Sequence, residues 1–141
     1  MLEEVGSPDR AEAWVRAALA NKQKVMGFGH RVYKDGDPRA VYLKKLTAAV
    51  AGETGNQDLE RTAEIIESIV WSEKRIPPNV DWPCARLYHY FGLPKDLFTP
   101  LFVCARTAGW SAHVLEQKRE GRLIRPTALY TGEGPRALAA T

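Results

Sequence analysis

The stretch Asp58-Leu59-Glu60-Arg61-Thr62-Ala63-Glu64-Ile65-Ile66-Glu67-Ser68-Ile69-Val70-Trp71-Ser72-Glu73-Lys74 decides the fold class. Leu59, Ile65, Ile66, Ile69 and Val70 recur at the three-to-four-residue spacing of one helix face, with polar residues between them. Pro77-Pro78 ends the run, because each ring removes a backbone donor and pushes the preceding residue out of the α region.

Working back toward the N-terminus, Ser7-Pro8-Asp9 combines a capping hydroxyl, a proline suited to the first helical position and an acid for the positive end of the dipole. That pattern predicts a helix to about Asn21, with Trp14, Val15, Ala18 and Leu19 on one face. A second start at Asp37-Pro38 precedes Val41, Tyr42, Leu46, Ala49 and Val50, and Gly52 is the expected stop. Toward the C-terminus, Asp81-Trp82-Pro83 opens a short helix ending at Gly92. Thr99-Pro100 opens a longer one reaching about Arg119, roughly 30 Å at the helical rise. No segment alternates apolar and polar over strand length, so the sequence reads as all-α, with about five helices and no substantial β-sheet.

The last helix is apolar almost all round, from Leu101, Phe102 and Val103 to Trp110, Val114 and Leu115. Such a helix needs cover on every side, more than four short amphipathic helices supply, which implies a further domain or a partner subunit. Residues 1–95 thus read as one helical region and 96–141 as a long helix and tail that docks elsewhere. Leu97 to Leu115 approaches bilayer-spanning length, but Arg106 at mid-depth makes a helix buried in protein the better reading.

Composition narrows the class. The 141 residues carry 20 Lys+Arg against 17 Asp+Glu and are 45% hydrophobic, which describes an ordinary folded domain and excludes disorder. The small positive excess suits an anionic small ligand as well as anything larger, and no nucleic acid or membrane is expected as a partner. Cys84 and Cys104 form no Cys-x-x-Cys pair, giving no zinc site and no disulfide framework, so buried free thiols are expected. The acidic first residues show no secretory pattern, and a cytoplasmic location is expected.

Chemistry concentrates between the first two helices, in Val25-Met26-Gly27-Phe28-Gly29-His30-Arg31-Val32-Tyr33-Lys34-Asp35-Gly36-Asp37-Pro38-Arg39. Gly27 and Gly29 permit positive φ and close backbone approach, His30 can donate or accept near neutral pH, and Arg39 offers a planar fork for a carboxylate. A solvated loop turning at Asp35-Gly36 is the plainer alternative. Arg106, inside the most apolar helix, has no acid one turn away at Phe102, Val103, Gly109 or Trp110. Its partner is therefore a ligand carboxylate or an acid elsewhere in the fold. Asp81 reads by position as a helix cap. His89 and His113 sit in no metal-ligand spacing.

Gly-Phe-Gly-His followed by Asp-Pro-Arg, then Pro78-Asn79-Val80-Asp81, then Asp96 to Arg106 with Arg125-Pro126, resembles the citrate synthase family in order across nearly the whole chain. The resemblance implies the family's small domain plus the C-terminal helix of its large domain. It implies that His30 polarises the keto oxygen of oxaloacetate and that Asp81 takes a methyl proton from acetyl-CoA. Arg39 and Arg106 would clamp oxaloacetate carboxylates, joined by Arg125 from the other subunit of a homodimer. Lys34, with Arg31 in the same loop, would meet the phosphates of coenzyme A, a substrate and not a bound cofactor; no metal is implied.

The family pattern also places a His-Gly-Gly stretch ahead of residue 1, whose histidine would stabilise the acetyl-CoA enolate, and Met1-Leu2-Glu3-Glu4 resembles the interior of a family helix. The expectation is that these residues alone do not make citrate. Alternatives are a 2-methylcitrate synthase taking propionyl-CoA, a non-catalytic helical interaction module and, last, a nucleic-acid binder using Lys22, Lys24, Arg31 and Lys34.

Overall fold

A computed structural model of the chain describes residues 1–134; residues 135–141 of the expected C-terminal segment lie outside the described residues. The chain divides into two compact units, Met1–Phe102 and Val103–Thr141. Its helices are α1 (Leu2–Val5), α2 (Pro8–Ala20), α3 (Pro38–Thr54), α4 (Gln57–Lys74), α5 (Asp81–Tyr90) and α6 (Phe98–Glu120), with a 3-10 turn at Lys95–Leu97. The five helices expected from the sequence all form, and α1 is an addition too short to show periodicity. Among the described residues there is no sheet, only a single bridge pairing Phe28 with Pro78.

In the first unit α2 lies along α4, with α1 against both. Val5, Ala11, Val15, Ala18, Ala63, Ile66, Ile69 and Val70 make one core with Trp82. Each large aliphatic chain in it contributes roughly 1.5–3 kcal/mol by leaving water. The α2 start differs in one detail from the capping pattern: Ser7 is extended and Pro8 occupies the first turn, but the Ser7 hydroxyl makes no cap bond.

Helix α3 packs on α5 and α4 through a face other than its bulky one. Ala40, Thr47 and Ala51 are buried, whereas Val41, Tyr42 and Leu46 are exposed. Small side chains allow close helix approach, and the Thr47 hydroxyl stays satisfied by donating to the Lys44 carbonyl at 2.8 Å. The helix also runs through Gly52 and stops at Gly55, whose φ of 73° is the left-handed turn that ends it.

The second unit comprises the remainder of α6 and the stretch after it. Here Val103, Trp110, Val114 and Leu115 are exposed, leaving the apolar surface of α6 uncovered. The expectation of buried thiols fails as well, since Cys84 is half-buried and Cys104 is exposed. Cys104 lies on that same uncovered helix, which accounts for its exposure. Among the described residues no helix is long and apolar enough to cross a membrane.

Candidate active site

Two short segments of the first unit run side by side. The Gly29 amide donates to the Pro77 carbonyl at 2.9 Å, and the Asn79 amide donates to the Gly27 carbonyl at 2.9 Å. Gly27, at φ 90°, sits flat on an indole: a Cβ there would lie 2.8 Å from Trp82 Cε3. Phe28 stacks on the same indole with ring centroids 4.7 Å apart. The pairing brings the loop carrying His30 beside the start of α5, where Asp81 is the first helical residue and Val80 is the cap position. Asp81 is therefore not itself the cap, and its carboxylate is exposed.

His30 is held from behind. Its Nδ1 accepts the backbone N–H of Val32 and of Tyr33, both at 3.0 Å. An imidazole nitrogen that accepts carries no proton, so the neutral ring bears its hydrogen on Nε2. Tyr33, which the sequence did not mark out, stacks on His30 at 4.7 Å and lies beneath the Arg39 guanidinium at 5.7 Å.

Arg39 is held by Asp37. The Asp37 carboxylate accepts from Arg39 Nε at 2.9 Å and from Nη2 at 2.8 Å, and it also accepts the Arg39 backbone N–H at 3.0 Å. The Val80 backbone N–H donates to it as well, at 3.1 Å. Asp37 is 1% exposed, so these bonds replace its hydration. The bond from the Arg39 side chain is the main force holding the Asp37 carboxyl below its ordinary range, and reciprocally Asp37 raises Arg39, with smaller contributions from Tyr33 and Asp81. The sequence showed Asp37 only as a helix cap; its bond to Val80 could not be read there.

With its Nε–Nη2 edge occupied, Arg39 turns its Nη1–Nη2 end toward His30, Nη2 lying 3.5 Å from His30 Nε2. An imidazole N–H and a guanidinium end thus converge. That arrangement suits adjacent oxygens on one ligand, such as a keto oxygen next to a carboxylate. Lys34 is exposed and bends its Nζ to the His30 carbonyl at 3.3 Å, and Arg31 is exposed in the same loop.

A cavity of about 270 Å³ adjoins Asp81, walled by Leu2, Met26, Leu59, Trp82 and Phe98. Beneath it lies a buried ionic group. Arg86 donates to Glu60 through Nε at 2.9 Å and Nη2 at 3.2 Å and to the Trp82 carbonyl at 2.8 Å, while the Tyr90 hydroxyl donates to Glu60 at 2.7 Å. Burial, then the bond to Glu60, pushes the Tyr90 phenol far above its ordinary value. These bonds fix the backbone of α5 one residue after Asp81.

The first unit therefore carries His30, Arg31, Lys34 and Arg39 on one loop and helix start, and hydrogen bonds through Asp37 and Asn79 tie that segment to the residues flanking Asp81. Arg106, on α6, and Arg125, in the stretch without regular secondary structure after it, belong to the second unit. Among the described residues no group of three or more His, Cys, Asp or Glu side chains could hold a metal ion.

Residues 1–127 match the family model described as citrate synthase, C-terminal domain. Citrate synthase 2 of Bacillus subtilis is 52% identical over 132 residues, 94% of this chain and 36% of that protein. The 2-methylcitrate synthase of Shewanella oneidensis is 44% identical over 118 residues, 84% of this chain and 32% of that protein. Among solved structures, the ternary complex of carboxymethyl coenzyme A and oxaloacetate with the citrate synthase of Thermoplasma acidophilum superposes with a TM-score of 0.81 at 33% identity. It covers 99% of this chain and 39% of that one. The chain spans about a third of the length of the curated relatives it matches.

Proposed function

The chain belongs to the citrate synthase family, a family of acyltransferases, and on that premise we propose that it carries the oxaloacetate-polarising and proton-abstracting residues of a citrate synthase. The observation that supports this most directly is the meeting of His30 Nε2 with the free end of Arg39. A keto oxygen accepts the Nε2 hydrogen while the neighbouring carboxylate takes the guanidinium end, so the keto carbon becomes electrophilic. Arg106 supplies a further clamp and Arg125 reaches the site of a partner subunit in a homodimer. Lys34 and Arg31 take the phosphates of the coenzyme A thioester.

Asp81 accepts a methyl proton from acetyl-CoA, and the resulting enolate carbon bonds to the keto carbon. The alkoxide so formed takes the proton from His30 Nε2. Water then cleaves the thioester, releasing citrate and coenzyme A. A thioester methyl is a weak acid, so this step also needs a donor on the enolate oxygen, a place the family pattern gives to residues ahead of residue 1. One missing oxyanion donor costs roughly 3–4 kcal/mol of transition-state stabilisation. The isolated chain should release no thiol from acetyl-CoA and oxaloacetate beyond an H30A control. A cytoplasmic location is part of the same reading.

A second reading, condensation of propionyl-CoA to 2-methylcitrate, is supported by the 44% identity to the 2-methylcitrate synthase of Shewanella oneidensis. The two differ by about 1–3 kcal/mol at most. Comparing kcat/KM for the two thioesters in the complete enzyme separates them.

Oxaloacetate binding tests the core of the reading. Titration of the chain, followed through the His30 ring nitrogen signals, should shift the Nε2 resonance, and H30A should weaken affinity about tenfold or more. No response of the wild-type ring at millimolar oxaloacetate would count against it.

A further inference from the structure

We propose that Asn79 is the positioning residue that sets His30 and Asp81 at their working separation. The inference rests on the reading of those two residues as polariser and base.

All four polar groups of Asn79 are used, and they divide by direction. Its backbone N–H and its Nδ2 donate to the Gly27 and Gly29 carbonyls, each at 2.9 Å. Its Oδ1 accepts the Asp81 N–H at 3.0 Å, and its carbonyl accepts the Trp82 N–H at 3.2 Å. Both donors face the loop that ends in His30, and both acceptors face the first turn of α5. The carboxamide thus spans from the residue before the histidine to the backbone of the base.

Few side chains can do this. The span needs a donor and an acceptor on one planar group a single methylene from the backbone. Aspartate keeps the acceptor and loses the donor. Serine is too short to reach both ways, and glutamine is one methylene too long. The flipped amide would set oxygen against the Gly29 oxygen and N–H against the Asp81 N–H, so the assignment is unambiguous. Position also depends on the neighbours: Gly29 has a φ of 78°, which turns its carbonyl to meet the amide.

A residue that only adds stability would, on removal, loosen the fold as a whole; a positioning residue loosens the joint. Amide hydrogen exchange of the full chain distinguishes these, using N79A, N79D and the core control I66V. In N79A the Asp81 amide should exchange about tenfold faster or more, while amides in the middle of α4 change by less than about threefold. N79D retains the acceptor for the Asp81 N–H but sets an oxygen against the Gly29 carbonyl, so the Asp81 amide should be accelerated clearly less than in N79A. I66V should accelerate the α4 amides without singling out Asp81. The proposal is overturned if N79A treats Asp81 like the α4 amides, or if N79D releases Asp81 as fully as N79A does. Oxaloacetate titration of the wild-type chain is the separate arm: a chain that passes the exchange test and leaves the ligand unbound keeps the joint and loses the functional reading.

Discussion

Asp37 takes the Nε–Nη2 edge of Arg39 with bonds of 2.9 and 2.8 Å, and so decides which end of that guanidinium is left for a ligand. A bare arginine on a helix could swing freely and offer either edge. Paired with a carboxylate that is itself buried and capped into α3, it presents one edge in one direction, toward His30. The same carboxylate holds the Val80 amide, next to Asp81. One side chain therefore orients the Arg39 guanidinium and anchors the backbone next to Asp81.

Stability should fall in acid through Asp37. Arg39 depresses the Asp37 carboxyl in the fold, so its contribution is fully present above the unfolded value of about 3.9 and is lost as pH falls through the lower folded value. Urea unfolding from pH 7 down to pH 2 should show D37N destabilised by about 1–3 kcal/mol at neutral pH. Its acid limb should also be shallower than that of the wild type. A D37N limb as steep as the wild-type one would mean that other carboxyls govern the transition.

Arg39 should not tolerate lysine. An ammonium cannot bond Asp37 at one edge and a ligand carboxylate at the other, so R39K should weaken oxaloacetate binding about tenfold or more while retaining the charge. Calorimetric titration measures it, and unchanged affinity would remove Arg39 from the site.

Gly27 should be intolerant even of alanine. Positive φ and a Cβ 2.8 Å from the Trp82 ring together should cost roughly 2–4 kcal/mol, seen as a lowered melting temperature. G55A shares the positive φ but has no atom within 4 Å of the added carbon, so it should cost roughly 1–2 kcal/mol. Equal losses at the two positions would show that the indole contact contributes nothing.

The ionic group under the site should respond asymmetrically. Arg86 is 2% exposed and Glu60 5%, so R86A, which strands a buried carboxylate, should cost about 3–5 kcal/mol. Y90F should cost about 1 kcal/mol. The paired replacement E60M/R86M should recover most of the R86A loss, because it leaves no buried charge. Chemical denaturation of the three variants gives the comparison.

What could be read from residue order alone was whatever is encoded within a turn or two of chain. Pro8 and Pro38 at helix starts, the Pro77-Pro78 break and the stripe through Ile66, Ile69 and Val70 act over a few residues, and each appears where the sequence puts it. The pattern from His30 to Arg39, and Asp81 after Pro78-Asn79-Val80, pointed to the site through resemblance. Tertiary structure decided the rest. Which face α3 buries depended on α5 and α4 accepting the small side of Ala40, Thr47 and Ala51 more closely than the bulky one. The second role of Asp37, the stacking of Tyr33 and the joint at Asn79 exist only because residues 27–29 lie against residues 77–79. About fifty intervening residues must first pack α2 on α4, and a contact closed over that distance leaves no periodicity or cap to announce it, because the energy that secures it comes from the core and not from the segments that meet.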